Sequence, residues 1–173
     1  MQGGLTNAPR PQKLLAPQAR NSDKDRVMKR LWHGLLAIVL ACSIGAAHAA
    51  DGSILTAKEA YDKAQAGKVV LVDVRSPGEW QKTGVPQGGV AETIHSKGGL
   101  PAFATALLAR LEGDKAKPIA LICATGKRSA NTRRYLEQAG FTNVSDVSEG
   151  MMGSSHGAGW HRRGLPVNRW SAN

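Results

Sequence analysis

Residues 118–140 read Pro-Ile-Ala-Leu-Ile-Cys-Ala-Thr-Gly-Lys-Arg-Ser-Ala-Asn-Thr-Arg-Arg-Tyr-Leu-Glu-Gln-Ala-Gly. Ile119 to Ile122 is a short apolar run with β-branched residues, the pattern of a buried parallel strand. Cys123 follows, then a tight polar loop containing Gly126. From Ser129 the spacing turns helical: Ala130, Arg133, Arg134, Leu136 and Glu137 recur at three-to-four intervals, and Gly140 supplies a stop. A cysteine therefore stands where a strand ends and a helix begins. Open α/β sheets place their chemistry at that edge.

The chemistry of Cys123 follows from its surroundings. A thiol reacts as its thiolate, which is favoured near a helix N-terminus and near cations. Free N–H groups of the loop and first helical turn would point at the sulfur. Gly126 lets the loop curl into an anion-binding nest, and Lys127 and Arg128 add positive charge. The competing reading is a buried, inert cysteine at a strand end. A basic loop with a glycine is poor packing material and a good anion cradle, which favours reactivity.

The run Cys-Ala-Thr-Gly-Lys-Arg, residues 123–128, resembles the active-site loop of the rhodanese family. Four residues separate Cys123 from Arg128; the related cell-cycle phosphatases and arsenate reductases carry five. The smaller ring of amides suits a single transferred sulfur better than a phosphate. Leu71-Val72-Asp73-Val74-Arg75 resembles the family's second-strand motif, and Gly159-Trp160 with Gly164-Leu165-Pro166-Val167 its C-terminal signature. The likeness runs from Ser53 to Val167. It implies an α/β fold: a single rhodanese-like domain over residues 50–173, with a central, mostly parallel five-stranded sheet flanked by helices on both faces. It implies Cys123 as nucleophile and Ala124, Thr125, Gly126, Lys127, Arg128 and Ser129 as the substrate cradle. Asp73 and Arg75 would support it, as a structural ion pair or through substrate contact. The segment Glu149–Gly153 would form one pocket wall. Many members have Gly-His-Ile-Pro-Gly-Ala where this chain has Gly84-Val85-Pro86-Gln87-Gly88-Gly89, which puts the local loop geometry in question.

The activity this implies is sulfur transfer from a small anionic donor such as thiosulfate to cyanide, a thiol or a protein acceptor. No cofactor is implied. The alternatives are a sulfur-carrier module, a phosphatase-like enzyme on the same fold, and a non-catalytic interaction domain. Of the five histidines, His156 and His161 are five apart, which matches no zinc spacing, and no metal site is expected.

The chain has 173 residues and a formal charge of +10, but the ends differ. Seven of its 23 Lys and Arg and two of its 13 acids precede Ala50, so the remainder carries +5. A mildly basic domain fits an anionic small substrate. With no basic-aromatic interleaving, no nucleic-acid partner is expected. Met1 to Val27 lacks apolar periodicity and reads as a disordered or untranslated leader. Met28-Lys29-Arg30, the apolar run Leu31–Ile44 and Ala47-His48-Ala49 read as a signal peptide over 28–49, cut after Ala49. The expected location is periplasmic or secreted, with no stable membrane anchor. Val39-Leu40-Ala41-Cys42 loosely resembles a lipobox, a poorer match than the cleavage site. With Cys42 removed, Cys123 is the single cysteine and closes no intrachain disulfide. The oligomeric state is left open.

Elsewhere Thr56 with Glu59, and Ser76 with Pro77 and Glu79, mark helix starts. Lys68–Val74, Val90–Ile94 and Phe141–Val147 read as strands, and Leu100–Leu111 as a covering helix. Trp80 is expected to pack, and His95 to lie at the surface. Ser154–Gly159 reads as a lid or a flexible loop.

Overall fold

A computed structural model describes residues 54–172. The leader, the signal peptide with its cleavage site, and Cys42 lie outside the described residues. Five strands form one sheet: β1 (Ile54–Leu55), β2 (Val70–Asp73), β4 (Gly89–Ala91), β5 (Ile119–Ile122) and β6 (Val144–Val147). Their order is β1-β6-β5-β2-β4, and each neighbouring pair is parallel. The strand that ends at Cys123 is thus the middle one. A second sheet pairs β3 (Val85–Pro86) with β7 (Val167–Asn168), antiparallel.

Side chains alternate across the sheet and divide the core in two. Val72, Ile119, Leu121, Cys123 and Val144 face α3 (Gly99–Arg110) and α4 (Lys127–Gln138), which contribute Phe103, Leu107 and Leu136. Leu71, Ala120, Ile122 and Val147 face α1 (Ala57–Gln65) and α5 (Gly159–Arg162), which contribute Ala57, Ala60 and Trp160. Helices on both faces leave the four residues of β5 buried, and this is why that strand is continuously apolar. The helix α2 (Pro77–Thr83) starts at Ser76 and buries Trp80, whose ring lies 5.2 Å from that of Trp170. Trp80 packs, as expected.

Both capping boxes form as the spacing predicts, at Thr56 with Glu59 and at Ser76 with Glu79. Some boundaries move. The helix after Cys123 starts at Lys127 rather than Ser129, because Gly126 takes a left-handed φ of 83° and turns the chain into the helix at once. The expected strand over Phe141–Val147 begins only at Val144, where pairing with β5 starts. The Gly/Pro segment after Thr83 is not all loop: Val85–Pro86 is tied to the C-terminal Val167–Asn168.

Candidate active site

Cys123 sits at the C-terminal end of β5 and is 1% exposed. Its carbonyl accepts from Met151 N at 2.8 Å, and the next carbonyl, of Ala124, accepts from Met152 N at 2.9 Å. The expected wall segment Glu149–Gly153 is therefore bonded to the loop. Approach is close enough that glycine is required twice. A Cβ on Gly126 would collide with the Ser148 carbonyl, and one on Gly150 would meet the Ala124 carbonyl. Two of the loop's carbonyls are spent on that wall, and its donors are not. Among the described residues, the N–H groups from Ala124 through Ser129 donate to no backbone carbonyl. A helix N-terminus leaves such groups free, and they suit an anion.

The Ser129 hydroxyl lies 3.4 Å from Cys123 Sγ and 3.1 Å from the Gly126 carbonyl, and is a donor to either. Arg128 is the next residue before it in the loop. Glu79 holds it in a two-pronged bond, Nη2 to Oε1 at 2.5 Å and Nη1 to Oε2 at 2.8 Å. The hydrogen bonds from Arg128 drive the Glu79 carboxyl down to about 2, with the Ser76 bonds assisting against partial burial. The Arg128 guanidinium is raised in turn, first by the Glu79 hydrogen bond, then by its charge and by the nearby Cys123 sulfur. His95 Nε2 lies 3.1 Å from Arg128 Nη1. His95 is exposed at the surface, as expected, yet it borders the loop. Glu79 and His95 belong to the site and the sequence reading missed both. The signal for Glu79 was taken up by its helix-cap role, which it also performs, accepting from Ser76 N at 3.0 Å.

Lys127 is exposed, beside Thr125 and Gly126, on a cavity of about 680 Å³ that does not include Cys123. The two cations of the loop differ in surroundings: Arg128 is paired with Glu79, and Lys127 borders the open cavity. Asp73 and Arg75 are 0% and 1% exposed. Arg75 Nη2 donates to Asp73 Oδ2 at 2.6 Å, Nε donates to both carboxylate oxygens, and the remaining bonds reach Thr83 Oγ1 and the Gly84 carbonyl. A pair this enclosed steadies the turn around Gly84 and offers no open face to substrate. Ser154–Gly157 closes on itself through two backbone bonds, and Ser154 Oγ is anchored on the Ser148 carbonyl at 2.9 Å. The segment is a pinned turn. Among the described residues, no three His, Cys, Asp or Glu side chains gather as a metal site, and no helix is long and apolar enough to cross a membrane.

The sequence profile described as rhodanese-like domain matches residues 56–155, from the cap of α1 to the pinned turn, with Cys123 and its loop inside. The chain belongs to the rhodanese-like domain family. One relative is the thiosulfate sulfurtransferase GlpE of Glaesserella parasuis, 32% identical over 113 residues, which span 65% of this chain and 90% of that protein. An uncharacterized protein of Rickettsia conorii is 29% identical over 98 residues, 56% of this chain and 80% of its own. Among solved structures, the polysulfide-sulfur transferase homodimer of Wolinella succinogenes is similar with a TM-score of 0.52 and 24% identity, covering 87% of this chain and 93% of that one. The rhodanese-like domain of an Anabaena protein matches with a TM-score of 0.53 and 19% identity, over 68% of this chain and 79% of its own. At these identities the two structures support the fold alone.

Proposed function

We propose that this chain is a sulfurtransferase, which moves a sulfane sulfur from thiosulfate or a similar anionic donor to cyanide, a thiol or a protein acceptor. The observation that carries the reading is the loop around Cys123: a strand-end thiol with free backbone N–H groups, the Ser129 hydroxyl and the Arg128 guanidinium about it. The naming of the Glaesserella relative supports the donor class. The Cys123 thiolate attacks the outer sulfur of thiosulfate. The sulfur–sulfur bond of the donor breaks, its electron pair leaves with sulfite, and Cys123 becomes a persulfide. Cyanide then takes the outer sulfur as thiocyanate and returns the thiolate. Residues Ala124 to Ser129 hold the transferred sulfur through their N–H groups. Arg128, oriented by its two bonds to Glu79, meets the anionic donor.

The test uses the reduced protein mixed with thiosulfate. Mass analysis of the Cys123 peptide is expected to show one added sulfur atom, removed by cyanide with release of thiocyanate, and Cys123→Ser should show neither. No added sulfur on Cys123 refutes the reading. A persulfide that forms but turns over only with a protein acceptor assigns the chain to sulfur carriage. The proposal includes export to the periplasm or exterior, supported by the sequence at 28–49. N-terminal sequencing of periplasmic protein should begin at Ala50.

A further inference from the structure

The Arg128 guanidinium has more donors than its bonds to Glu79 and His95 use. It carries five N–H groups in one plane and accepts nothing. Glu79 takes one hydrogen of Nη1 at 2.8 Å and one of Nη2 at 2.5 Å, both on the same edge of the plane. The other contact of Nη1 is His95 Nε2, at 3.1 Å. Since arginine only donates, that nitrogen must offer its lone pair, so the ring is neutral with its proton on Nδ1. The backbone N–H of His95 donates to Thr93 Oγ1 at 3.1 Å, which steadies the turn that carries the ring. Two hydrogens of Arg128 remain, one on Nε and one on the outer side of Nη2. They share the edge away from His95, and among the described residues neither donates to an oxygen or a nitrogen. The Arg128 side chain is 31% exposed, so a partner from solution can reach it. Arg128 also directly precedes Ser129, whose hydroxyl lies 3.4 Å from Cys123 Sγ.

We propose that His95 is a positioning residue that sets the class of sulfur donor. Two bonds to one carboxylate fix an edge of the guanidinium but let its plane swing about that edge. The third point, at His95, stops the swing and takes the outer Nη1 hydrogen. Nε–H and Nη2–H are then the one two-pronged edge left for a ligand. Such an edge matches two oxygens carried on one atom. The donors it selects are those whose transferable sulfur is bound to an oxygenated sulfur: thiosulfate and the organic thiosulfonates. A polysulfide has no such oxygens and meets Arg128 as charge alone. With a thiosulfonate the Cys123 thiolate attacks the outer sulfur, the sulfur–sulfur bond breaks, and the electron pair leaves on a sulfinate. With a polysulfide the pair leaves on a chain one sulfur shorter. Both leave Cys123 as the persulfide, so the donors differ in recognition and not in chemistry. The inference rests on the proposed role of Arg128 in meeting the donor.

The experiment follows the rate at which Cys123 gains a sulfur, read by mass spectrometry, from thiosulfate and from sodium tetrasulfide over a range of concentrations. In His95→Ala, loss of the orienting hydrogen bond should lower the thiosulfate-to-tetrasulfide rate ratio about fivefold. The fall should come from a raised half-saturating thiosulfate concentration at a kept maximum rate. His95→Gln, whose amide oxygen can accept the same hydrogen, should recover the ratio. Arg128→Lys, a point charge without a fork, should lose the preference even with His95 in place. A wild-type ratio in His95→Ala or in Arg128→Lys overturns the proposal, and so does a His95→Gln protein that behaves like His95→Ala. The tautomer is checked with no donor present, by a two-bond proton–nitrogen correlation spectrum of the imidazoles at about pH 8.5, above the range in which histidine charges. His95 should carry its proton on Nδ1, and a ring protonated on Nε2 overturns the clamp. If neither donor loads Cys123, sulfur transfer is refuted and donor selection with it. Loading from both donors at a ratio that ignores His95 refutes the selection alone.

Discussion

Arg75→Met tests whether the buried pair at the end of β2 is structural. The substitution keeps an apolar stem and removes the guanidinium. Asp73, with no solvent exposure, then keeps only the bond from the Arg75 backbone N at 3.1 Å. Thr83 Oγ1 and the Gly84 carbonyl lose their Arg75 donors as well. Removing one partner of a buried pair costs about 3–5 kcal/mol, because the other charge stays behind. With a urea m-value of about 2 kcal/mol per molar, the unfolding midpoint should fall by roughly 2 M at unchanged m. Lys58→Met is the control: its partner Asp62 is one helical turn away and both side chains are more than half exposed, so its loss should cost about 0.5 kcal/mol or less. Adding Asp73→Asn to Arg75→Met should recover part of the loss, since the stranded charge is then gone. Once corrected for the folded fraction, the KM for thiosulfate should be unchanged. Equal costs for Arg75→Met and Lys58→Met would refute the reasoning. So would a stable Arg75→Met protein with a raised KM, which would put the pair in contact with substrate.

The loop makes three further predictions. Glu79 is held at about 2 against an ordinary 4.5, so its contribution is complete above pH 4.5 and is lost as the pH falls through about 2. Its partial exposure limits that contribution to about 1 kcal/mol. Glu79→Gln should therefore melt below wild type at neutral pH and converge with it near pH 2; parallel melting curves across that range would sink the idea. Gly126→Ala and Gly67→Ala both place alanine at positive φ, but only at Gly126 does the new Cβ strike backbone. Gly67→Ala should cost about 1–2 kcal/mol, and Gly126→Ala more, with loss of persulfide formation. Similar thermal melts for the two would contradict the close packing on Ser148. Cys123→Ser should fold normally and form no persulfide, as intact mass before and after thiosulfate will show.

What could be read from the sequence was what is local. The strand ending at Cys123, the glycine that turns it into a helix, and both capping boxes depend on residues within a few positions of one another. Contacts between distant segments could not be read. Glu79 and Arg128 are 49 residues apart, and a residue already explained as a helix cap gives no sign of a second partner. Val85–Pro86 and Val167–Asn168 are too short to carry a strand period, so only their pairing defines them. The omission of Glu79 changes the chemistry of the loop. From composition the loop is a cluster of positive charge, with Lys127 and Arg128 both counted towards the anion. In the fold Lys127 lines an open cavity and Arg128 is paired with Glu79. The field at the sulfur is therefore set less by the number of cations in the loop than by its uncommitted N–H groups. Those groups stand at a helix N-terminus, which leaves them without an intrahelical partner, and the segment after β6 holds the loop in place through the Cys123 and Ala124 carbonyls. The close approach that permits this needs Gly126 and Gly150. The two glycines thus bear on the thiolate through the backbone that they allow to meet.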